Sequence, residues 1–398
     1  MTPTRFVTAT LAALALVVPA SAAAATTAPT TTTATTTSTT SSARILGPNQ
    51  VTMGDHVPWD KVGQGWYLTL VDQGPQGELG IDARHQLLDL VDPLGGRYQL
   101  AKTAVGKDGS GFRRLTDWST DGTRAIELVD SSGAQQRAVL YDLKAGTHRR
   151  TVLGKGVTGA TFADDGSLYL TKAGGRNGSP LVRLNDDGPS IVLRRHTDGA
   201  ALATPSGREV VTGTSSRRDH RLPVIGSRGQ LVRTLTTPAE CTPSRWWGLG
   251  VVMASCEWHR GTTRLYAVPL DGSPGHWLTA DHGKKSADLG DLDARRLHGT
   301  TYLEAAGPCG VVFLARQHAD GSATEVHVPR ATQNVYLLGT RGDSLVLHMG
   351  ISCDGGSSRD AITHFDPSAD RNRIVAMLPV DEAYETIVGF DEHPVPLG

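Results

Sequence analysis

"TFADDGSLYL", Thr161 to Leu170, sets β-branched and apolar residues on both sides of Asp-Asp-Gly-Ser. Alternation that breaks over a short polar stretch with a glycine and then resumes is the pattern of two strands joined by a tight turn. Glycine suits such a corner because it adopts a positive φ without a Cβ clash. One turn says little about a chain of this length. Its recurrence decides the fold.

Phe162 is followed four residues later by Gly166, and the same relation links Trp118 to Gly122, Ala203 to Gly207, Trp246 to Gly250 and Leu338 to Gly342. Trp59 and Gly63 also fit, and Arg295 with Gly299 fills the gap between 246 and 338. The anchors at 118, 162, 203 and 246 are spaced by 44, 41 and 43 residues. Units also end alike, in a second pair of strands around a glycine-containing turn, as in "VLYDLKAGTHRRTVL" (139–153) and "LYAVPLDGSPGHWLT" (265–279). Four strands in roughly 40–50 residues is the spacing of a propeller blade. Starts at Trp59, Trp118, Phe162, Ala203, Trp246, Arg295 and Leu338 predict a single all-β domain, a β-propeller of seven four-stranded blades. Counts of six or eight also fit the period. A blade cannot bury both its faces alone, so it must stack on its neighbours, with the anchor side chain wedged between them. The tail Glu385–Phe390 either adds a strand to the first blade and closes the ring, or caps the channel.

These units resemble the TolB-like and WD40-like β-propeller repeats, whose blades carry an aromatic-Ser-x-Asp-Gly turn. "WSTDGTR" (118–124) and "FADDGS" (162–167) carry the resemblance best, and it covers most of residues 55–380. The fifth unit has Leu249 where those repeats prefer Asp. Families with this repeat include periplasmic binding partners, receptors and enzymes, so the resemblance implies fold rather than activity.

The N-terminus reads as an export signal. Arg5 precedes an apolar stretch, Val7–Val18, that is short for a membrane span, and Ala20-Ser21-Ala22 supplies the small-x-small cleavage pattern. Residues 26–42 are Thr, Ser, Ala and Pro, a composition that cannot bury enough surface to offset its ordering entropy. The expected organisation is a signal peptide (1–22), a disordered Thr/Ser-rich linker (23–43) and the propeller (44–398), secreted, with no membrane span in the mature chain. Net charge is -1 with no long run of one sign, which argues against nucleic acid or an anionic membrane as partner.

An exported chain with four cysteines predicts disulfides. Cys241 and Cys256 flank one hairpin corner and should pair within it. Cys309 and Cys353 fall between the second and third strands of neighbouring blades and should pair across them, the rival being Cys256–Cys309. No metal site, cofactor or catalytic residue is expected: there is no G-x-S-x-G elbow, H-E-x-x-H or P-loop, and no D-x-D-x-D-G loop follows Asp164-Asp165 or Asp186-Asp187. The fifth unit holds Trp246, Trp247, Trp258 and Trp277, four of seven tryptophans. Trp246 and Trp247, adjacent on a strand, should face opposite neighbours. Trp258 with His259, and secondarily Trp247, are the candidate binding residues. The functional expectation is a monomeric, non-enzymatic binding module for a protein, peptide or glycan. The alternative is a lyase or hydrolase with a site in the central channel.

Overall fold

The computed structural model describes residues 46–390, apart from 78–79, 108–109, 130–135, 155–156, 164–165, 173–178, 185–190, 205–206, 214–219, 259–261, 282–289 and 353–357. The expected signal peptide and linker lie outside the described residues, as do His259, Cys353, Asp164-Asp165 and Asp186-Asp187. Among the described residues there is no α-helix.

The first group of strands is β1 (Val51–Met53), β2 (Tyr67–Gln73), the small hairpin β3 (Gln76–Gly77) and β4 (Gly80–Ile81), β5 (His85–Val91) and β6 (Arg97–Ala104). The second, an antiparallel sheet, is β7 (Arg113–Trp118), β8 (Arg124–Val129), β9 (Gln136–Asp142) and β10 (Thr147–Gly154). β11 (Val157–Phe162), β12 (Leu168–Lys172), β13 (Ser179–Leu184) and the start of β14 (Ile191–Ala203) form the third. β14 then changes partner and becomes the first strand of the fourth group, with β15 (Glu209–Gly213), β16 (Arg221–Gly226) and β17 (Leu231–Thr236). The fifth is β18 (Cys241–Gly248), β19 (Val251–Trp258), β20 (Thr262–Pro269) and β21 (His276–Trp277). A lone parallel pair, Thr263 with Gly290, joins it to the sixth: β22 (Gly290–Leu297), β23 (Thr300–Ala306), β24 (Val312–Gln317) and β25 (Ala323–Glu325). The seventh is β26 (Ala331–Arg341), β27 (Ser344–Ser352), β28 (Ser358–Asp366) and β29 (Arg371–Met377), and β30 (Glu382–Gly389) follows.

The repeat glycines sit where the alternation places them. Gly122, Gly166, Gly207, Gly250, Gly299 and Gly342 each lie between the first and second strands of a group, and all have positive φ, from 54° to 82°. Gly63 does not, which corrects the start of the count. Trp59 and Gly63 precede β2 in a turn, and the glycine with positive φ there is Gly65. The reason is that the first group takes its innermost strand from the other end of the chain. β30 pairs antiparallel with β2 from Tyr67↔Gly389 to Gln73↔Glu382, giving the order β1-β6-β5-β2-β30. Two further backbone bonds bracket the ladder, Phe390 N to Trp66 O at 3.0 Å and Gly74 N to Asp381 O at 3.0 Å. Of the two roles open to the tail, it takes the added strand.

Second strands bury both faces, each against a different neighbour. On β2, Leu68 and Leu70 pack with Leu115 and Trp118 of the second group, while Tyr67 and Val71 pack with Val346 and Ile362 of the seventh. On β19, Val252 and Ala254 face the fourth group and Met253 faces the sixth. Period-two alternation in a strand sandwiched between sheets gives this split. Side chains then fasten one corner to the next. Arg124 Nη1 donates to Gly166 O at 3.1 Å, Tyr169 Oη to Gly207 O at 3.1 Å, Trp246 Nε1 to Ala203 O at 3.0 Å and Arg295 Nη2 to Leu338 O at 2.7 Å.

Cys241 and Cys256 are directly opposite on β18 and β19 and form a disulfide. Because Cys256 is taken, the rival Cys256–Cys309 pairing does not form. Cys309 stands in the short turn Pro308–Gly310.

Candidate functional site: a cleft at the outer edge

β1 is a fifth strand on the outer edge of the first group, parallel to β6 and in register from Val51↔Arg97 to Met53↔Gln99. After Met53 the strand gives way to a single 3-10 turn, Gly54–His56, that packs on β6. The approach at its start is tight: a Cβ on Gly54 would lie 3.0 Å from Leu100 Cδ2 and 3.2 Å from Gln99 O, so a larger residue would have to push these neighbours aside by a few tenths of an ångström. The facing wall is the β9–β10 turn of the second group, held by Asp142 Oδ1 accepting from Ala145 N at 2.8 Å and by Leu143 N donating to Thr123 O at 2.7 Å. Between the walls lies a cleft of about 680 Å³, with Met53, Trp59, Leu100, Tyr141, Leu143 and Lys144 among its lining residues. That is the size of a ligand site.

The floor is apolar with a committed phenol. Tyr141 Oη donates to Glu127 Oε2 at 2.9 Å and accepts from Arg113 Nη1 at 2.6 Å, and Arg113 Nη1 also meets Glu127 Oε2 at 2.9 Å. Burial, with the Glu127 charge beside it, pushes the Tyr141 phenol well above its ordinary range. Burial likewise raises Glu127, with Arg113 opposing. The rim carries charge: Asp55 on the first wall, exposed Lys144 and His148 on the second. Such a site can seat an apolar group and orient a charged one.

No family model and no curated protein matches the chain. Among solved structures, the chain is similar to one of two prolyl endopeptidases, at TM-score 0.52 and 10% identity over 80% of this chain and 50% of that one. It is also similar to the β-propeller domain of the trilobed protease from Pyrococcus furiosus (TM-score 0.49, 10% identity, 78% of this chain and 98% of that one) and to TolB from Acinetobacter baumannii (0.39, 10%, 85% and 88%). The chain is a β-propeller. The likeness is one of fold, and the propeller spans half the length of the endopeptidase.

Two of the residues expected to bind, Trp247 and Trp258, lie elsewhere in the propeller, in the fifth blade, packed against other side chains of the protein; His259 lies outside the described residues. Trp246 and Trp247 go to opposite faces. Trp246 packs on the fourth-blade side, while Trp247 packs toward the sixth, with the Arg296 guanidinium 5.5 Å above its ring. Trp258 is half-buried. It meets Trp277 edge-on at 5.0 Å, and Tyr266 meets the same Trp277 at 5.1 Å. Arg264 lies 4.0 Å over Trp277 and 5.4 Å over Trp258, and is tethered by Nη2 donating to Thr279 O at 2.6 Å. The aromatic faces that could have held a sugar hold an arginine.

Two other features lie outside the cleft. The G-x-G-x-x-G spacing at Gly154–Gly159 joins β10 to β11 and opens no helix, so it lacks the strand-to-helix setting of a dinucleotide site. At the seam of the seventh and first blades, His348 Nε2 stands 3.4 Å from Asp360 Oδ2, with Tyr336 stacked on the imidazole at 5.3 Å and Tyr384 edge-on at 5.6 Å. Among the described residues no three His, Cys, Asp or Glu side chains converge as metal ligands.

Sequence reading missed the cleft. Trp59 reads as a repeat anchor, and Leu100, Tyr141 and Lys144 carry no local motif.

Proposed function

We propose that this propeller is an exported, non-enzymatic module that binds a protein, peptide or glycan in the extracellular or envelope space. The cleft between the first two blades carries the reading: it joins a floor of Trp59, Leu100 and Leu143 to a charged rim. The Cys241–Cys256 disulfide and the N-terminal export pattern support an oxidising compartment. To test it, oxidised protein and a reduced, unfolded copy are immobilised and exposed to host envelope and secretome extract. Retention by the folded form alone, lost on Trp59→Ala, is the expected result. Retention indifferent to Trp59→Ala, or none, would overturn the cleft's role.

The enzyme alternative rests on the His348–Asp360 pair. Turnover abolished by His348→Ala in a screen of glycan and ester substrates would favour it.

A further inference from the structure

The first-blade wall of the cleft is an unfinished sheet edge. β1 covers β6 only from Arg97 to Gln99, and Arg97 N reaches outward to Gln50 O at 2.8 Å. β6 runs on to Ala104, and among the described residues no strand pairs with the outer side of residues 100–104. A bulge sits in the inward ladder, where Asp89 pairs with Gln99 but Leu88 pairs with Ala101. The extra residue switches which backbone groups face out. Before it, Arg97 points its N–H outward; beyond it, Val105 N points inward to Arg84 O at 2.9 Å. Counting back by twos from Val105 leaves Lys102 and Ala104 presenting N–H and C=O outward.

This edge begins in the cleft, where Leu100 and Ala101 line it beside Gln99, and continues from there to Lys102 and Ala104. β1 already shows how a strand seats there; its pairing ends at Met53, and the turn Gly54–His56 that follows lies against Gln99 and Leu100, short of Lys102 and Ala104. Across from it stand Lys144 and His148. On their wall, the Asp142 carboxylate is engaged by Ala145 N.

We propose that an extended peptide binds here by adding as a strand to β6 beyond Met53, seating a large apolar side chain against Trp59 and Leu143 and a carboxylate toward Lys144 and His148. Main-chain hydrogen bonds supply affinity in such strand addition, and flanking side-chain sites supply specificity. The inference rests on the binding reading above and names its ligand class.

The test is selection of unconstrained nonapeptides from a display library on the oxidised protein, with affinities then measured by fluorescence anisotropy. Selected peptides are expected to share a large apolar residue near Asp or Glu. N-methylation at alternate backbone amides should weaken binding at least tenfold, while methylation at the intervening amides should not. Lys102→Pro removes an outward N–H while sparing the ladder to β5, and should also weaken binding at least tenfold. Lys144→Glu should shift selection toward basic peptides. If Lys102→Pro fails to fold, the N-methyl series and Lys144→Glu carry the test. Selection of no peptide, or of peptides indifferent to N-methylation, overturns strand addition. Should a glycan bind instead in a Trp59-dependent way, the peptide proposal falls and the binding reading stands. If extract capture fails as well, both fall.

Discussion

The seam that closes the ring and the seam between the fourth and fifth blades are built from different chemistry. Between the fourth and fifth, Val211, Leu222 and Leu235 pack on Val252, Ala254 and the Cys241–Cys256 disulfide. At the closure, a seven-residue ladder joins β2 to β30, and buried polar groups flank it. Arg97 bonds Asp89 through Nε at 3.0 Å and Glu382 of β30 through Nη1 at 2.7 Å. Tyr67 meets His364 Nε2 at 3.3 Å, and Arg373 Nη2 donates to His364 Nδ1 at 3.0 Å. Because Arg can only donate, Nδ1 accepts, and the neutral ring carries its proton on Nε2.

The difference has a physical reason. Blades adjacent in sequence are held near each other by the chain, so apolar burial with a few single side-chain bonds, such as Trp246 Nε1 to Ala203 O, docks them. Closing the ring joins segments more than 300 residues apart, at a loop-entropy cost that apolar contact alone would repay in several registers. A strand slipped by one residue turns every side chain to the wrong face. A ladder anchored by Arg97 to Glu382 admits one register.

The largest effect expected follows from removing the closure. A chain ending at Glu382 loses nearly all of β30, and with a total stability of about 5–15 kcal/mol it should show no cooperative urea transition. An unchanged transition would refute closure by the tail. Next is Arg97→Ala, which strands Asp89 and Glu382 in the interior and should cost about 3–5 kcal/mol in the same measurement. Replacing Cys241 and Cys256 by Ser releases a cross-link across 15 positions, worth about 3 kcal/mol, and should loosen β18 and β19 without touching β30.

The smallest is a pH effect confined to the closure. Burial, then Arg373 and Arg341, hold the His364 imidazole down at about 4, below its ordinary 6.5. The unfolded chain therefore binds more protons between those values. The contribution is full above pH 6.5 and is lost as pH falls toward 4, on the order of 2–3 kcal/mol. Wild type should lose that much relative to His364→Gln across this window; parallel curves would mean the ring is not held neutral.

Legibility in the sequence followed locality. A corner glycine four residues beyond its anchor is a local signal, and six such glycines have the positive φ that the turn requires. Cys241 and Cys256 flank one such corner, so their pairing could be read from spacing. The first corner misled because Trp59 and Gly63 imitate the repeat in a segment whose inner strand comes from the far end of the chain. The tryptophans of the fifth blade are legible only in part: composition reveals Trp258 and Trp277 but not the Arg264 stacked over them. The cleft was invisible because Trp59, Leu100 and Lys144 meet only after two blades are docked.

Amide hydrogen exchange along β2 and β30 tests closure most directly. Leu68 and Leu70 are predicted to exchange at the same free energy as Ile387 and Val388, in one cooperative opening that matches global unfolding. Exchange of the β30 amides well ahead of a protected β2 would contradict it, and would mean that the tail is docked on the propeller without closing it.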